Sequence, residues 1–315
     1  MTSRNICLIG GSGFVGGYLA ERLTRAGCRL RIATRRPERQ KSRLATLPGA
    51  EMIQADVFQP AHLDRLLAGQ DAVVSMVGIL HGSRRQFERA HVELTDAILQ
   101  ACARQGVRRL VHISALGAAQ DAPSDYLQTK ALAELAIRAS GLDWTILRPS
   151  VIFGRGDSFL TLFAQLLAAL PALPLAGADS RFAPIWVEDV ASAVAACLDN
   201  SACIGQSLDL AGPEVYTLAE LVRLTGRLTG RPRPIIPLPA GLAMLQAALM
   251  ECLPGPTLMS RDNVRSLSLD NVSDQPFPGQ LLGFAPASLA AIAPSYLAGE
   301  EFNTIVSRYR SKAAR

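Results

Sequence analysis

The chain has 315 residues, 49% of them hydrophobic and 19% charged, with a formal net charge of +5. That balance is enough for a large apolar core and rules out a disordered chain; at about 150 residues per domain it allows two domains or one enlarged α/β domain. Aromatic residues make up only 5% and the basic residues are scattered, so the basic, aromatic-interleaved stripe of a nucleic-acid-binding protein is missing.

The first residues run directly into an apolar strand, Asn5–Ile9, without the charged and apolar regions of a signal peptide, so a cytoplasmic protein is expected. An amphipathic helix over Gly16–Ala26 follows. Further strands are expected at Leu30–Thr34, Glu51–Ala55 and Ala72–Val77. A helix over Phe87–Gln105 leads to a strand at Arg109–Ser114. Another helix, from Tyr126 to Ser140, leads to a strand at Trp144–Leu147. Strands separated by helices of this length are βαβ units, which predicts an α/β fold: a doubly wound parallel sheet of Rossmann type.

After Arg148-Pro149 the texture changes to helices punctuated by Pro and Gly, at Phe159–Leu170, Val187–Leu198, Thr217–Thr229 and Ala240–Leu253. Residues 1–155 are therefore expected to form the nucleotide-binding domain, and 156–315 a smaller, mostly helical lobe for a substrate or an interaction. Ala183–Val187 and Gln206–Leu210 read as short strands that fit either part, and some strands of the lobe can return to the main sheet. The apolar run Ala240–Leu253 is about 14 residues long, short of the roughly 20 that cross a bilayer. With the basic tail Arg308, Arg310, Lys312 and Arg315, it leaves peripheral contact with an anionic membrane surface open.

The six cysteines, Cys7, Cys28, Cys102, Cys197, Cys203 and Cys252, form no CxxC pair and read as buried free thiols of a reducing compartment. No His, Cys and Asp cluster has metal-ligand spacing.

The strongest chemical signal is the run Gly10-Gly11-Ser12-Gly13-Phe14-Val15-Gly16 between the first strand and its helix. Glycines there permit a tight turn and let the backbone approach a pyrophosphate. The helix then presents unpaired N–H groups and its positive dipole end to the phosphates, so Gly10, Gly13, Phe14, Val15 and Gly16 are expected to bind the cofactor. The second strand ends Ala33-Thr34-Arg35-Arg36, without the acid that usually binds the ribose hydroxyls of NAD. Two guanidiniums at that place suit a 2′-phosphate, which predicts NADP(H) over NAD(H). Asp56, with Val57, closes the third strand, where a carboxylate fits the adenine amino group or else serves local turn chemistry. Val77 and Gly78 close the fourth, where small residues let the backbone face the ribose.

These motifs, with Val107-Arg-Arg-Leu-Val-His-Ile-Ser-Ala-Leu-Gly117, Tyr126-x-x-x-Lys130 and Leu147-Arg-Pro-Ser-Val-Ile-Phe-Gly154, resemble the atypical and extended short-chain dehydrogenases/reductases. Pro184-Ile-Trp-Val-Glu-Asp-Val-Ala191 and Leu210-Ala-Gly-Pro213 extend the likeness. Within that superfamily the chain most resembles bacterial relatives of the nucleotide-binding accessory subunit of mitochondrial complex I. The resemblance implies NADP(H) in the cleft and adds Ser114, Pro149 and Ile152 to the cofactor-binding set.

In catalytic members, a tyrosine at the place of Tyr126 exchanges a proton with the substrate oxygen. A lysine at the place of Lys130 binds the nicotinamide ribose and lowers the tyrosine pKa. The third catalytic position, Ser or Thr, falls on Ala115, with Ser114 one residue early. Asp189 is expected to cap or pin the junction with the lobe. His81 and His91 read as structural or solvated. Two functions follow: an NADP(H)-dependent oxidoreductase for a small carbonyl or quinone-like substrate, or a non-catalytic dinucleotide binder that stabilises a respiratory or other membrane-associated assembly.

Overall fold

The computed structural model describes residues 4–35, 46–252 and 257–298. Seven parallel strands form the central sheet: β1 (Asn5–Ile9), β2 (Arg29–Thr34), β3 (Ala50–Gln54), β4 (Ala72–Ser75), β5 (Arg109–Ile113), β6 (Asp143–Pro149) and β7 (Gln206–Leu210). Their order across the sheet is β7-β6-β5-β4-β1-β2-β3. The chain leaves β1 in one direction to β2 and β3, then returns to lay β4 on the other side. This reversal opens a crevice beyond the carboxyl ends of β1 and β4, where ligands bind in such sheets.

Alternate residues of each strand face opposite helical layers. Ile6, Leu8, Ile32, Val74, Val111 and Ile113 pack against α1 (Phe14–Arg25) and α6 (Val187–Asp199). Cys7, Ile9, Ala33, Val73, Leu110 and Ile146 pack against α2 (Pro60–Leu67), α3 (Leu94–Gln105) and Ile137 of α4 (Asp125–Ala139). The sheet is thus buried on both faces, as its near-continuous aliphatic strands require. The later helices, α5 (Leu160–Ala169), α7 (Leu218–Leu228) and α8 (Ala240–Cys252), lie beyond the crevice; Leu160, Phe163, Leu167, Leu218 and Leu221 build a separate core there with Phe153 and Phe182. Asp189, in the first turn of α6, accepts from the Ala287 N–H at 2.7 Å and so ties this region to the sheet layer.

Several expectations need correction. Helix α2 has no counterpart in the sequence reading, although Pro60 opens it and Leu63, Leu66 and Leu67 bury one face. Strand β4 stops at Ser75, two residues early, and β5 at Ile113. The helix expected from Phe87 already starts at Arg84 and passes through a π-helical turn, Glu88–Glu93, before α3. The strand expected at Ala183–Val187 is two short ones, Arg181–Phe182 and Ile185–Trp186, separated by Pro184. Of the six thiols, Cys28 is only half-buried and Cys252 is exposed. Among the described residues no helix is long and apolar enough to cross a membrane, and no group of three or more His, Cys, Asp or Glu is placed to hold a metal.

Candidate functional site: the crevice at the carboxyl edge of the sheet

The turn between β1 and α1 is built by backbone economy. Gly10 adopts φ +87°, and its carbonyl accepts from the Gly13 N–H at 3.0 Å. A Cβ on Gly16 would lie 2.5 Å from the Cα and carbonyl oxygen of Gly11, so only glycine lets the helix start this close to the strand. Gly13 is the N-cap and supplies no side-chain cap to α1, whose first turn carries no acid. The N–H groups of Phe14, Val15 and Gly16 therefore face the crevice with the positive end of the helix dipole behind them. A pyrophosphate fits this cradle.

At the ends of β2 and β3, Arg35, Gln54, Asp56 and His62 line one surface depression. Arg35 is exposed there; Arg36 lies outside the described residues. Asp56 is half-occupied by its own turn: its Oδ1 accepts from the Phe58 N–H at 3.1 Å, and its N–H donates to His62 Nδ1 at 3.1 Å. Turn chemistry, one of the two alternatives for this carboxylate, thus occupies one of its oxygens.

The other end of the crevice is a buried polar cluster between β4, β5 and α4. Lys130 is 3% exposed. Its ammonium donates to the carbonyls of Val77 (3.2 Å), two residues past β4, and Ile113 (3.1 Å), at the end of β5. A Cβ on Gly78 would sit 3.4 Å from Lys130 Nζ, so the chain beyond β4 passes directly over it. Burial lowers the Lys130 pKa from 10.5 to about 8, with Glu134 opposing.

Tyr126, one turn earlier on α4, is half-buried, with its ring edge-on to Phe87 (6.0 Å) and His91 (5.5 Å). Ala115, with Ala122 and Leu127, packs against it. The position where the resemblance implies Ser or Thr is thus an apolar wall. Burial pushes the Tyr126 phenol up from 10 to about 12, the reverse of the lowering that the resemblance implies.

Ser114 lies next along the chain, buried, with its Oγ unpartnered among the described residues; the same holds for His112 Nε2. These two side chains share a strand face with Leu110, the face covered by α3 and α4. A buried polar atom left unpaired costs about 1–3 kcal/mol, so both fit a site that a ligand or a water completes. Pro149 is buried and Ile152 half-buried at the end of β6, where the Pro149 carbonyl accepts from Leu116 N–H at 2.9 Å.

His91 is buried and structural, one of the two alternatives that the sequence leaves for it. It sits in the π-helical turn, 1% exposed, with its Nδ1 2.9 Å from Thr129 Oγ1 and its Nε2 3.3 Å from the Ile79 N–H. Thr129 spends its proton on the Asp125 carbonyl (2.8 Å). His91 therefore donates from Nδ1 and accepts at Nε2: a neutral ring with one fixed tautomer. Burial, with the Lys130 charge adding to it, lowers its pKa to about 3, which keeps it neutral. No local pattern announces this role, because the π turn shifts the helical register. His81, in contrast, is exposed in the loop.

A family model described as NAD(P)H-binding matches residues 10–201. The mitochondrial NADH dehydrogenase [ubiquinone] 1 alpha subcomplex subunit 9 of Arabidopsis thaliana is 28% identical, with 95% of this chain and 80% of that protein aligned. The (4-alkanoyl-5-oxo-2,5-dihydrofuran-3-yl)methyl phosphate reductase of Streptomyces griseus is 31% identical over 80% of this chain and 82% of its own. Among solved structures, an Escherichia coli NADPH-dependent quinone oxidoreductase complexed with NADPH superposes with a TM-score of 0.75 over 93% of this chain and 99% of that one. Its 21% identity makes that a likeness of fold. The chain belongs to the NAD(P)H-binding family, as a Rossmann-type, short-chain dehydrogenase/reductase-like protein with complex I accessory subunits among its relatives.

Proposed function

We propose that the protein is an NADP(H)-dependent reductase for a small carbonyl or quinone-like substrate. The observation that carries this reading is the pairing of Tyr126 and Lys130 on one face of α4, with the Lys130 ammonium against the backbone of Val77, Gly78 and Ile113. The residues present fit a dinucleotide: an uncapped α1, the Gly10–Gly16 turn and the unpartnered Ser114 Oγ. Phe14, Val15 and Gly16 would hold its pyrophosphate, and Val77, Gly78, Ser114, Pro149 and Ile152 would line its nicotinamide end. Asp56, with Val57, would border the adenine.

When bound, the dihydronicotinamide supplies a hydride to the substrate carbonyl carbon. Lys130 has three donors, and among the described residues two of them are taken by carbonyls; the third would hold a ribose hydroxyl. Tyr126, protonated at neutral pH because burial raises its pKa, would give its phenolic proton to the substrate oxygen as negative charge develops there. Leu80, 52% exposed beside the crevice, and Ile79 would offer an apolar wall.

A specific observation favours a second reading. Ala115 leaves no hydroxyl beside the phenol, and several relatives are named as NADH dehydrogenase subunits. The protein would then hold its nucleotide for structural reasons within a membrane-associated assembly. Leu242, Leu245 and Leu249, exposed at i, i+3 and i+7 on α8, would suit peripheral contact with that membrane from its cytoplasmic side.

Cofactor choice is testable on the pure protein. NADPH is expected to bind at least about tenfold more tightly than NADH, since one charge-assisted contact contributes roughly 1.5–3 kcal/mol. Arg35→Ala is expected to weaken NADPH and leave NADH nearly unchanged, and adding Arg36→Ala to erase the preference. Calorimetric titration of both nucleotides checks this. Equal affinities in the unmodified protein would sink the NADP(H) assignment.

A further inference from the structure

The helix that carries Tyr126 and Lys130 is capped from far away in the sequence. The first four backbone donors of α4 are all satisfied. Asp125 N–H donates to Asp262 Oδ1 at 2.7 Å, and Tyr126 N–H to Asp262 Oδ2 at 3.2 Å. Leu127 N–H donates to Ser124 Oγ at 3.3 Å, and Gln128 N–H to the Ser124 carbonyl at 3.1 Å. In contrast, α1 is left without a side-chain cap. One helix start is open to a ligand and the other is sealed by a carboxylate 137 residues downstream.

Asp262 is buried, in the short helix Arg261–Ser266 that Ser260 and Asn263 open with reciprocal caps. Burying a carboxylate is costly unless hydrogen bonds replace its water, and here the first turn of α4 supplies them. The next residue reaches the other lip of the crevice: Asn263 Nδ2 donates to the Leu80 carbonyl at 3.1 Å, in the segment that follows Gly78. One short segment of the C-terminal region therefore holds both α4 and the loop facing it.

Building on the reductase reading above, we infer that Asp262 is a positioning residue for Tyr126. By binding the backbone of the first turn of α4, it fixes where the phenol stands over the crevice, and Asn263 sets the opposing loop against it. Lys130, one turn deeper and anchored by two backbone carbonyls, does not depend on it.

The test is Asp262→Asn in the full chain, an isosteric change that removes the charge and turns one acceptor into a donor. The control is Asp189→Asn, another buried carboxylate that accepts a backbone N–H from the C-terminal region. Amide exchange at Asp125 and Tyr126 is expected to accelerate about 10- to 100-fold in Asp262→Asn. kcat on a carbonyl and quinone panel is expected to fall by roughly tenfold or more, with NADPH affinity and KM nearly unchanged. Asp189→Asn is expected to leave those two amides and the kcat alone, whatever it does to the melting temperature.

Unchanged exchange would overturn the inference, and so would a loss of turnover that merely follows NADPH affinity or is shared by both variants. If the unmodified protein turns over nothing, the reductase reading falls by itself. The phenol then decides: spectrophotometric titration against Tyr126→Phe should find it near 12 in the unmodified protein and released towards 10 in Asp262→Asn. A phenol unmoved by Asp262→Asn would refute the positioning role.

Discussion

Replacing Tyr126 with phenylalanine is expected to lower turnover by roughly 10²–10⁴ while NADPH affinity stays within about twofold, because a general acid acts on the transition state and not on the bound cofactor. The change removes a single oxygen. The ring keeps its edge contacts with Phe87 and His91 and its packing on Ala115, so the fold has no reason to move. The raised phenol pKa fixes the direction. Below about pH 12 Tyr126 stays protonated, which suits a donor in reduction and leaves no phenolate to act as base in the reverse step at neutral pH. Steady-state kinetics on carbonyl and quinone substrates, with NADPH titration alongside, measures both halves. A Tyr126→Phe protein that keeps full turnover, or fully rescues a deletion phenotype, would move the protein to the scaffold reading.

Lys130→Met is expected to weaken NADPH by about 10- to 100-fold on either reading, since its ammonium serves the ribose whether or not chemistry follows. Its lowered pKa adds two pH dependences. The ammonium loses its proton as pH rises through about 8, so NADPH affinity of the unmodified protein is expected to fall through that range and that of Lys130→Met to stay flatter. Stability moves the other way. Between about pH 8 and the ordinary 10.5, the unfolded chain holds a proton at this lysine that the folded chain has released. Folding stability must therefore climb with pH across that window, by an amount on the order of 2–3 kcal/mol relative to Lys130→Met. Below pH 8 both states are charged and the difference is constant. Denaturant melts of the two apo proteins at pH 7, 9 and 10.5 check the sign. A parallel pair of curves would show that Lys130 is not held near 8.

What could be read in the sequence was whatever depends on near neighbours. The alternation of strand and helix up to β6, the glycine turn and the Tyr126–Lys130 spacing are all set within a few residues; in the structure Gly10 abuts Met76 and Val77, and Lys130 binds the Val77 carbonyl. Helix α2 escaped because two turns with one apolar face, Leu63, Leu66 and Leu67, leave too short a period to detect. Asp56 was legible as a strand-end acid for adenine or for a turn, but Phe58 as the turn's donor was not. The partners of His91 and the role of Asp262 escaped for a different reason. A π-helical turn re-aims His91, and Asp262 acts across 136 residues on the Tyr126 N–H, so no window of sequence contains either interaction. The unpartnered Ser114 Oγ and His112 Nε2 are likewise visible only once α4 covers β5.

The most direct measurement is a crystal structure with NADPH bound. The expected result has the pyrophosphate on the N–H groups of Phe14, Val15 and Gly16, the 2′-phosphate at Arg35, and the Lys130 ammonium on the nicotinamide ribose. The Tyr126 hydroxyl should stand over the nicotinamide ring, within the roughly 3–3.5 Å of a substrate oxygen that reaction geometry requires. A nucleotide bound elsewhere would contradict the site itself. A nicotinamide in place, with the Tyr126 hydroxyl turned away from the space above it, would contradict the reductase.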